Sequence, residues 1–393
     1  MLPEYVCQNC GAKAMAEFYE IEETPVHTCI MLETQDEGTA FSKRKLVLGF
    51  CNTCGFISNV VFDPSVRDYS SVYEDQQCFS STFNVFAQKL ATRLIKRHNL
   101  YNKKILEIGC GKGDFLETLC VLGNNSGVGI DPAYIKDRVA RSSSDRLKFI
   151  QDYYSEKYAD YSGDMVCCRH ALEHIPNTAE FVSSVRTAIG NRLDTVVFFE
   201  VPDVKRVLRE HAFWDIYYEH CSYFSPGSLA RLFRFCKFEI VDISKDFDDQ
   251  YLLIDAKPVA HKSEVLHELE ESVEELSNDV TNFSDNIDEK LNNWKKRLNK
   301  FYLDGKRVVV WGSGSKCVSF LCTLGINEEI GCVVDINPFR HGRYLPGLGK
   351  KVMSPETLRN YKPDIVIVMN PVYYNEICQM LIDMNLRPEV ISV

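Results

Sequence analysis

Residues 104–113 read Lys-Ile-Leu-Glu-Ile-Gly-Cys-Gly-Lys-Gly, an apolar run that leads into three closely spaced glycines. This pattern predicts a buried strand, then a glycine-rich turn that opens a helix. Glycines in such a turn let the backbone approach a ligand closely and point amide N–H groups at it. A dinucleotide-binding turn needs a third glycine where Asp114 stands, so the spacing argues against that class of cofactor site.

The pattern instead reads Glu-x-Gly-x-Gly-x-Gly, and it resembles the first motif of class I S-adenosylmethionine methyltransferases. The resemblance implies an S-adenosylmethionine cofactor held by Glu107 and the turn formed by Gly109, Gly111 and Gly113. Asp131 ends the next apolar run, where a carboxylate can accept hydrogen bonds from ribose hydroxyls. Asp152 follows a further run, at the place where such folds often bind the adenine amine.

Apolar strand patterns alternate with amphipathic helical patterns both around this motif and again near the C-terminus. Such alternation predicts an α/β fold with an open, mostly parallel sheet. The strand candidates are 43–51, 55–62, 103–109, 127–131, 147–151, 164–168, 195–201, 252–256, 306–311, 331–337 and 364–370. In the later part a glycine turn (311–316) is again followed, about twenty residues on, by an aspartate that closes a strand.

Two Cys-x-x-Cys pairs stand near the N-terminus, each followed by a glycine. Such a pair can direct two thiolates at one ion, and the glycine permits the tight turn behind the second cysteine. Four thiolates would close a tetrahedral, structural zinc site, whereas unmetallated thiols or a redox pair are the alternatives. The predicted ligands are Cys7, Cys10, Cys51 and Cys54.

The region from His261 to Phe301 contains no proline or glycine and carries apolar residues at helical spacing. We interpret it as a long helix between two domains, with a dimerising coiled coil as the alternative. The predicted organisation has four parts: a zinc-binding domain (1–65), a Rossmann-like class I methyltransferase core (66–258), a long connecting helix (259–305) and a second Rossmann-like, substrate-binding domain (306–393).

The bulk composition excludes several function classes. A chain of 393 residues is too long for one hydrophobic core, and its net charge of −10 argues against nucleic-acid binding. No stretch approaches the roughly 20 apolar residues that span a bilayer. The first residues lack the basic and apolar regions of a signal peptide, so we expect a cytoplasmic protein with reduced thiols.

The segment His170-Ala-Leu-Glu173-His174 matches the His-x-x-Glu-His pattern of inverted zinc peptidases. That chemistry needs both histidines on one face of a long helix, but Pro176 follows almost at once. Methyltransferases carry a similar segment here, lining the cofactor cleft. We therefore expect His170 and Glu173 to line that cleft, with His170 beside the cofactor.

Polar and aromatic residues are dense at 214–225, beyond the end of a predicted strand, which is where α/β enzymes place their chemistry. An aromatic packing loop is the alternative. This segment, the cysteine pairs, the glycine turn and the C-terminal motifs at 311–316 and 334–347 together resemble sugar C-methyltransferases. That resemblance implies methylation of the carbon next to the ketone of a nucleotide-linked 4-keto deoxysugar.

Carried onto this sequence, the resemblance makes His220 the general base, with Tyr217 and Glu219 beside it and Tyr73 reaching the site from the other side. Tyrosine hydroxyls can stabilise an enolate, and Glu219 is expected to orient the imidazole. Nucleotide phosphates would be contacted by three basic residues of the last domain: Lys316, Arg340 and Arg343.

The sequence departs from those enzymes at two places that we expect to face the substrate. Residues 248–251 read Asp-Asp-Gln-Tyr where a Gly-Gly-Ser stretch is usual, and Cys317 replaces a glycine. Two other functions are therefore weighed: a methyltransferase acting on oxygen, nitrogen or carbon of another small molecule, and a non-catalytic zinc-containing scaffold.

Overall fold

The computed structural model describes residues 5–66, 69, 72–136, 138, 145–261 and 265–393. Its strands, in chain order, are β1 (Met15–Pro25), β2 (Lys43–Cys51), β3 (Ile57–Asn59), β4 (Lys104–Ile108), β5 (Ser126–Ile130), β6 (Leu147–Ile150), β7 (Met165–Arg169), β8 (Val196–Pro202), β9 (Ser222–Tyr223), β10 (Phe238–Asp246), β11 (Tyr251–Pro258), β12 (Val308–Trp311), β13 (Cys332–Val334), β14 (Val352–Met353), β15 (Ile365–Val368) and β16 (Glu389–Ser392). Its α-helices are α1 (Gln35–Thr39), α2 (Ser81–His98), α3 (Asp114–Gly123), α4 (Thr178–Ile189), α5 (Val204–Glu210), α6 (Pro226–Phe235), α7 (Val273–Leu303), α8 (Ser315–Leu324), α9 (Leu358–Tyr361) and α10 (Tyr374–Asp383).

The central sheet has the strand order β10-β11-β8-β7-β4-β5-β6. Strands β4 to β8 pair in parallel, whereas β11 is antiparallel to both of its neighbours. Apolar residues fill both faces of β4 and β7, as expected for strands covered by helices on two sides. The class I methyltransferase fold predicted from the sequence is confirmed.

Strand β10 was missed in the sequence because it lies at the sheet edge. Only two of its nine residues are buried, so its apolar signal is weak. It pairs with β11 through a tight connection at 247–250, and this hairpin brings the start of β11 opposite Pro202, at the carboxyl end of β8.

The C-terminal sheet is parallel throughout, in the order β14-β13-β12-β15-β16. Its inner strands β12 and β15 are buried along their whole length. This is the second Rossmann-like sheet that the repeated strand, glycine turn and aspartate pattern predicts.

The N-terminal sheet is antiparallel and has the order β1-β2-β3-β9. Strand β9 belongs to the segment 214–225, so this stretch of the methyltransferase core completes a sheet that begins more than a hundred residues earlier in the chain. The N-terminal sheet is therefore tied directly to the expected catalytic segment.

The connecting helix is shorter than predicted. Helix α7 begins at Val273, after a capping box in which Ser272 and Glu275 bond each other's backbone, and it ends at Leu303. Residues 265–272 are not helical, although they lack proline and glycine, and 262–264 lie outside the described residues. A helix throughout 261–301 is therefore wrong at its start, because the N-cap at Ser272 sets the first turn.

The apolar stripe of α7 is covered by its own chain. Phe283 is fully buried against the rings of Phe18 and Tyr19 of β1, and Trp294 packs on Phe320 of α8. Burial of this stripe inside the molecule leaves it unavailable for the coiled coil that the sequence left open.

Candidate active site

One cavity of about 930 Å³ lies where the carboxyl ends of the central strands face the N-terminal segment and the C-terminal sheet. Eleven of the residues expected at the site line this cavity: Tyr73, Glu107, Gly109, Gly111, Asp131, His170, Glu173, Tyr217, His220, Lys316 and Arg340. Four predicted residues are not among those that line it: Gly113, Asp152, Glu219 and Arg343.

The glycine turn after β4 forms one wall of the cavity. Gly109 has a φ of +70°, and a Cβ there would lie 2.5 Å from the Cβ of Ala171. Gly111 also has a positive φ of +54°, but nothing lies within 4 Å of where its Cβ would be. The first glycine is thus required by packing, whereas the second leaves its backbone open to a ligand.

Asp131, at the end of β5, braces this turn. Its Oδ2 accepts a 2.8 Å hydrogen bond from the Gly111 amide, and its Oδ1 accepts a 2.6 Å bond from the Ala133 amide. Burial raises the pKa of Asp131 to about 6. A carboxylate oxygen can accept a second hydrogen bond, so these contacts leave capacity for ligand hydroxyls.

Glu107, on β4, is 2% exposed, and its Oε2 has no hydrogen-bond partner among the described residues. Burial raises the pKa of this carboxyl to about 8. A buried acceptor without a partner is costly unless a ligand or water satisfies it. Its place beside the glycine turn therefore fits a ligand that carries hydrogen-bond donors.

Two predicted cofactor residues lie off the cavity wall. Asp152 accepts hydrogen bonds from Lys157 and Tyr158 at 2.6 Å each, and its partly exposed carboxyl has a pKa lowered to about 2 by those contacts. The neighbouring Tyr153 lines the cavity instead. Gly113 has a φ of +88° and is the N-cap of α3, which is a structural role.

His220 is 6% exposed, and its ring centroid lies 4.1 Å from that of Tyr217. Burial, together with the nearby His174, His170 and Lys316, lowers the pKa of His220 well below its usual value. The imidazole is consequently neutral near pH 7 and able to accept a proton. Burial raises the pKa of Tyr217 well above 10, so its hydroxyl stays a hydrogen-bond donor.

Glu219 does not orient His220, contrary to the expectation from the sequence. Its carboxylate accepts hydrogen bonds from the Nδ1 of His27 at 3.0 Å, and from the amide and hydroxyl of Thr28. Burial raises the pKa of Glu219, but the contacts with His27, His174 and Thr28 together outweigh that effect and the net shift is downward. Glu219 thus ties the segment 214–225 to the N-terminal segment that carries His27 and Thr28.

The His-x-x-Glu-His segment forms only a short 3-10 turn, Leu172–His174, so the zinc peptidase geometry is absent from this part of the described chain. His170 has a φ of +50°, and its Nε2 lies 2.7 Å from Glu200, which also holds Arg169 in a bidentate pair. Burial lowers the pKa of His170, but Glu200 and Glu173 overcome this and raise it to about 9.

His174 was not singled out in the sequence, although it stands within that motif. Its ring lies 4.7 Å from the ring of His220, and its Nδ1 bonds the Tyr69 hydroxyl at 2.9 Å and the Glu219 carbonyl at 3.1 Å. Ligand atoms of Glu173, His174 and His220 lie within 4.8 Å of one another. His174 therefore belongs to the wall around the expected base.

Tyr73 is 6% exposed and lines the cavity on the side of the N-terminal segment. Its backbone forms a bridge with Ile30, and its ring packs edge-on against Tyr69 and His27. The backbone of Tyr73 also meets the glycine turn, because its carbonyl accepts a 3.0 Å hydrogen bond from the Nζ of Lys112.

The three basic residues expected to contact phosphates differ in position. Lys316 and Arg340 line the cavity: Lys316 pairs with Asp215, and Arg340 donates to the backbone of Glu74 and to Ser313. Arg343 instead forms an ion pair with Glu33 away from the lining residues. A phosphate contact at Arg343 finds no support in this position.

Further lining residues had no motif to mark them. Arg206, on α5, pairs with Asp215, which lies between it and Lys316. Gln250 and Asn370 meet across the cavity from the two Rossmann-like sheets. Their chain positions are far apart, so only the tertiary fold brings them together.

The four predicted metal ligands converge at the edge of the N-terminal sheet. Sulfur atoms of Cys7 and Cys54 are 3.6 Å apart, those of Cys10 and Cys51 are 3.7 Å apart, and all four lie within 4.8 Å of one another. A tetrahedral zinc with bonds of about 2.3 Å needs sulfurs about 3.8 Å apart. The two knuckles also match each other, because the glycine amide after each pair donates 2.8 Å to the carbonyl of the first cysteine.

Two protein-family models match the chain in tandem. A methyltransferase domain matches residues 80–243, and a C-methyltransferase C-terminal domain matches residues 255–386. C-methyltransferase NovU from Streptomyces niveus is 26% identical over 94% of this chain and 90% of its own length. The chain is a methyltransferase that carries a C-methyltransferase C-terminal domain.

Other relatives of this C-methyltransferase match a smaller part of it. The ubiquinone biosynthesis O-methyltransferase of Escherichia coli O127:H6 is 31% identical, over 21% of this chain and 37% of that protein. Among solved structures, the riboflavin-derivative dimethyltransferase RosA from Streptomyces davawensis matches 45% of this chain and 56% of that one, at 17% identity and a TM-score of 0.37. No helix of the C-methyltransferase that the structure describes has the length and apolar character to cross a membrane.

Proposed function

We propose that this protein is an S-adenosylmethionine-dependent C-methyltransferase that methylates the carbon next to the ketone of a nucleotide-linked 4-keto deoxysugar. The observation that carries this proposal is the buried imidazole of His220, beside Tyr217, in the same cavity as the glycine turn and Asp131. The tandem of family domains and the full-length similarity to NovU support carbon as the methylated atom.

The glycine-turn side of the cavity fits S-adenosylmethionine. Glu107 offers a buried carboxyl oxygen that no described residue bonds, and Gly111 offers open backbone next to Asp131. Asp131 would accept from the ribose hydroxyls and Glu107 from donors nearer the methionine part. When bound, this cofactor supplies an electrophilic methyl group on a sulfonium.

The other side of the cavity would hold and activate the acceptor. The ketone makes the adjacent C–H acidic, and neutral His220 removes that proton to its ring nitrogen. The protonated Tyr217 hydroxyl, held beside the imidazole, donates to the developing enolate oxygen. Holding the enolate carbon against the methyl group then supplies much of the rate by proximity.

The C-terminal sheet would bind the nucleotide part of the acceptor. Lys316 and Arg340 are cations within the cavity wall, although each already has a partner in Asp215 or in the backbone of Glu74. Phosphate oxygens accept charge-assisted hydrogen bonds from such groups. We expect these two residues, and not Arg343, to contact the diphosphate.

Zinc is the ion we expect in the cluster of Cys7, Cys10, Cys51 and Cys54. The sulfur separations suit a tetrahedral thiolate site, and four protein ligands leave no position for water. The ion is therefore structural and remote from the methyl transfer.

The test combines two assays on the purified protein. Mass spectrometry should detect one added CH2 on one of a panel of dTDP-, CDP- and GDP-linked 4-keto sugars supplied with S-adenosylmethionine. Deuterium should exchange into the same sugar without the cofactor, and His220→Ala should abolish exchange while S-adenosylhomocysteine still binds. Methylation of an oxygen or nitrogen, or of no keto sugar in the panel, would refute the proposed acceptor.

A further inference from the structure

The β10–β11 connection places an amide side chain in the wall of the cavity. Phe247, Asp248 and Asp249 have φ values of +55°, +60° and +57°, a left-handed run that costs non-glycine residues energy. The turn is held because Phe247 is buried and its ring stacks on Tyr251 at 4.8 Å with an interplanar angle of 4°. Gln250 follows this strained run and is 5% exposed.

Gln250 lies on the side of the cavity opposite the glycine turn. Tyr251 pairs with Pro202, so the start of β11 is at the same sheet edge as the carboxyl ends of β4, β5 and β8. Four strand spacings of about 4.8 Å separate β11 from β5 and its Asp131. Gln250 is thus too far from the proposed ribose site to contact the ribose, and we assign it to the acceptor half of the cavity.

The orientation of the Gln250 amide follows from its neighbours. The backbone N–H of Val372, which can only donate, lies 3.2 Å from the Oδ1 of Asn370. That oxygen also accepts from the Gln250 Nε2 at 2.8 Å, so the Gln250 atom facing Asn370 must be the NH2 group. The opposite atom, Oε1, is therefore an acceptor.

This acceptor atom has no hydrogen-bond donor among the described residues. Oε1 of Gln250 is buried and accepts no hydrogen bond from any residue that the structure describes. The backbone of Gln250 cannot move freely to satisfy it, because its carbonyl accepts a 3.0 Å bond from the Asp203 amide at the start of α5. A buried amide oxygen in a ligand cavity favours a ligand that donates a hydrogen bond.

We propose that Gln250 is a specificity-determining residue that selects methyl acceptors carrying a hydroxyl or amino group opposite its Oε1. The Gln250–Asn370 bond also joins the two Rossmann-like sheets. Asn370 of the C-terminal domain therefore fixes which way the Gln250 amide points, and so where its Oε1 can accept a hydrogen bond. The inference rests on the proposed function, because it assumes that the ligand bound beside Gln250 is the methyl acceptor.

The test uses pairs of nucleotide-linked 4-keto sugars that differ by one ring hydroxyl replaced with hydrogen, and matched pairs with an amino group replaced with hydrogen. Affinity is measured by calorimetry with S-adenosylhomocysteine present, so no methyl transfer is needed. For one ring position the wild type should bind the hydroxyl or the amino compound at least about tenfold more tightly than the deoxy compound. The two arms identify which group is recognised.

Three variants decide the assignment. Gln250→Met keeps the side-chain length but removes both hydrogen-bonding atoms, and it should lose this preference. Gln250→Glu, which when protonated can donate to Asn370 and still accept, should retain it. Gln379→Leu, an exposed change on α10 that removes only a bond to Asp383, should behave as the wild type.

A tenfold preference that survives in Gln250→Met, or the absence of any such preference in the wild type, overturns the assignment. Unchanged affinity of each variant for S-adenosylhomocysteine shows that the variant has folded, because that site lies at the far end of the sheet. If Gln250→Met fails this check, Asn370→Ser, which releases the amide from its fixed direction, must weaken the preference instead. Binding of S-adenosylhomocysteine but of no nucleotide sugar refutes the proposed function and this inference together.

Discussion

Asp131 and Asp335 hold the same local position in the two Rossmann-like sheets. Asp131 accepts from the amides of Gly111 and Ala133, and Asp335 accepts from those of Ser313 and Asn337. A carboxylate after the second strand thus braces the glycine turn in both domains. Asp131 belongs to the half of the cavity proposed for the cofactor, and Asp335 to the half proposed for the acceptor. The same substitution at each position therefore compares the two halves directly.

We expect Asp131→Asn to weaken binding of S-adenosylhomocysteine by about 10- to 100-fold, because an amide has one acceptor oxygen where the carboxylate uses two. Asp335→Asn disturbs the equivalent turn of the other sheet and should leave this affinity unchanged. Isothermal calorimetry measures both. Equal losses in the two variants would indicate that the cofactor does not bind at the first glycine turn.

His170 should make the stability of the native protein depend on pH. Its pKa is raised to about 9 in the folded state, against about 6.5 in an unfolded chain. A raised pKa stabilises the fold fully below about pH 6.5, and this contribution is lost as the pH rises through about 9. The urea midpoint of the wild type should therefore fall over this window more than that of His170→Gln.

The control for this pH effect is His211→Gln, at a partly exposed histidine that bonds the Asn282 backbone and side chain and stacks on Phe283, with no carboxylate bonded to it among the described residues. Its midpoint should follow the wild type at every pH. Parallel curves for the wild type and His170→Gln would mean that Glu200 does not hold a charged imidazole.

Short sequence motifs predicted the positions of those residues that are fixed by residues adjacent to them in the chain. Glu107 lies on β4, and Gly109 and Gly111 follow that strand, so their spacing predicted one site for all three, and all three line the cavity. Glu219 was placed beside His220 by sequence adjacency, yet its partners Thr28 and His27 come from a distant segment. Asp152 is not among the lining residues, and its carboxylate accepts bonds from Lys157 and Tyr158, which are nearby in the chain.

Among the elements, strands were easier to predict than helix ends. Buried strands such as β2, β4 and β8 carry continuous apolar runs, whereas the edge strand β10 does not. The start of α7 is set by the Ser272–Glu275 capping box. Apolar residues at helical spacing before Ser272 hid this signal, because they suggested that the helix began earlier. Val265 and Leu266, which extended that spacing, are largely exposed.

Helix α7 should contribute strongly to stability through its buried stripe. Phe283→Ala removes a fully buried ring between Phe18 and Tyr19 and should lower the free energy of unfolding by about 3–5 kcal/mol. Leu303→Ala, at the exposed end of the same helix, should change it by less than about 0.5 kcal/mol. Urea denaturation measures both changes.

The oligomeric state of the Phe283→Ala variant tests whether the stripe serves only the chain's own core. Light scattering should show no change of mass if the stripe serves only the chain's own core. A loss of mass with unchanged unfolding energy would instead support the coiled coil.

At the scale of the whole molecule, one sheet links the cysteine cluster to the candidate site. The sheet next to the cluster pairs β3 with β9, and the same segment carries His220 and the Glu219 contacts to Thr28. Loss of the metal should therefore disturb the site without any direct contact to the substrate.

Cys54→Ser should abolish the bound zinc, measured by elemental analysis, and should lower both the melting temperature and the His220-dependent deuterium exchange. Four-thiolate sites contribute folding energy directly, so removal of one ligand destabilises the N-terminal sheet. Cys378→Ser, a partly buried cysteine of α10 outside the cluster, should keep the zinc and the exchange rate. Full zinc content in Cys54→Ser would contradict the ligand set.

The pairing of β3 with β9 has a consequence for synthesis on the ribosome. Ile57 leaves the ribosome long before its partner Tyr223, and at roughly 5–20 residues per second the delay is on the order of ten to thirty seconds. During that interval the nascent sheet exposes an unpaired edge, which is a template for aggregation. Early binding of zinc by the four cysteines would keep strands β1 to β3 compact until β9 is synthesised and pairs with β3.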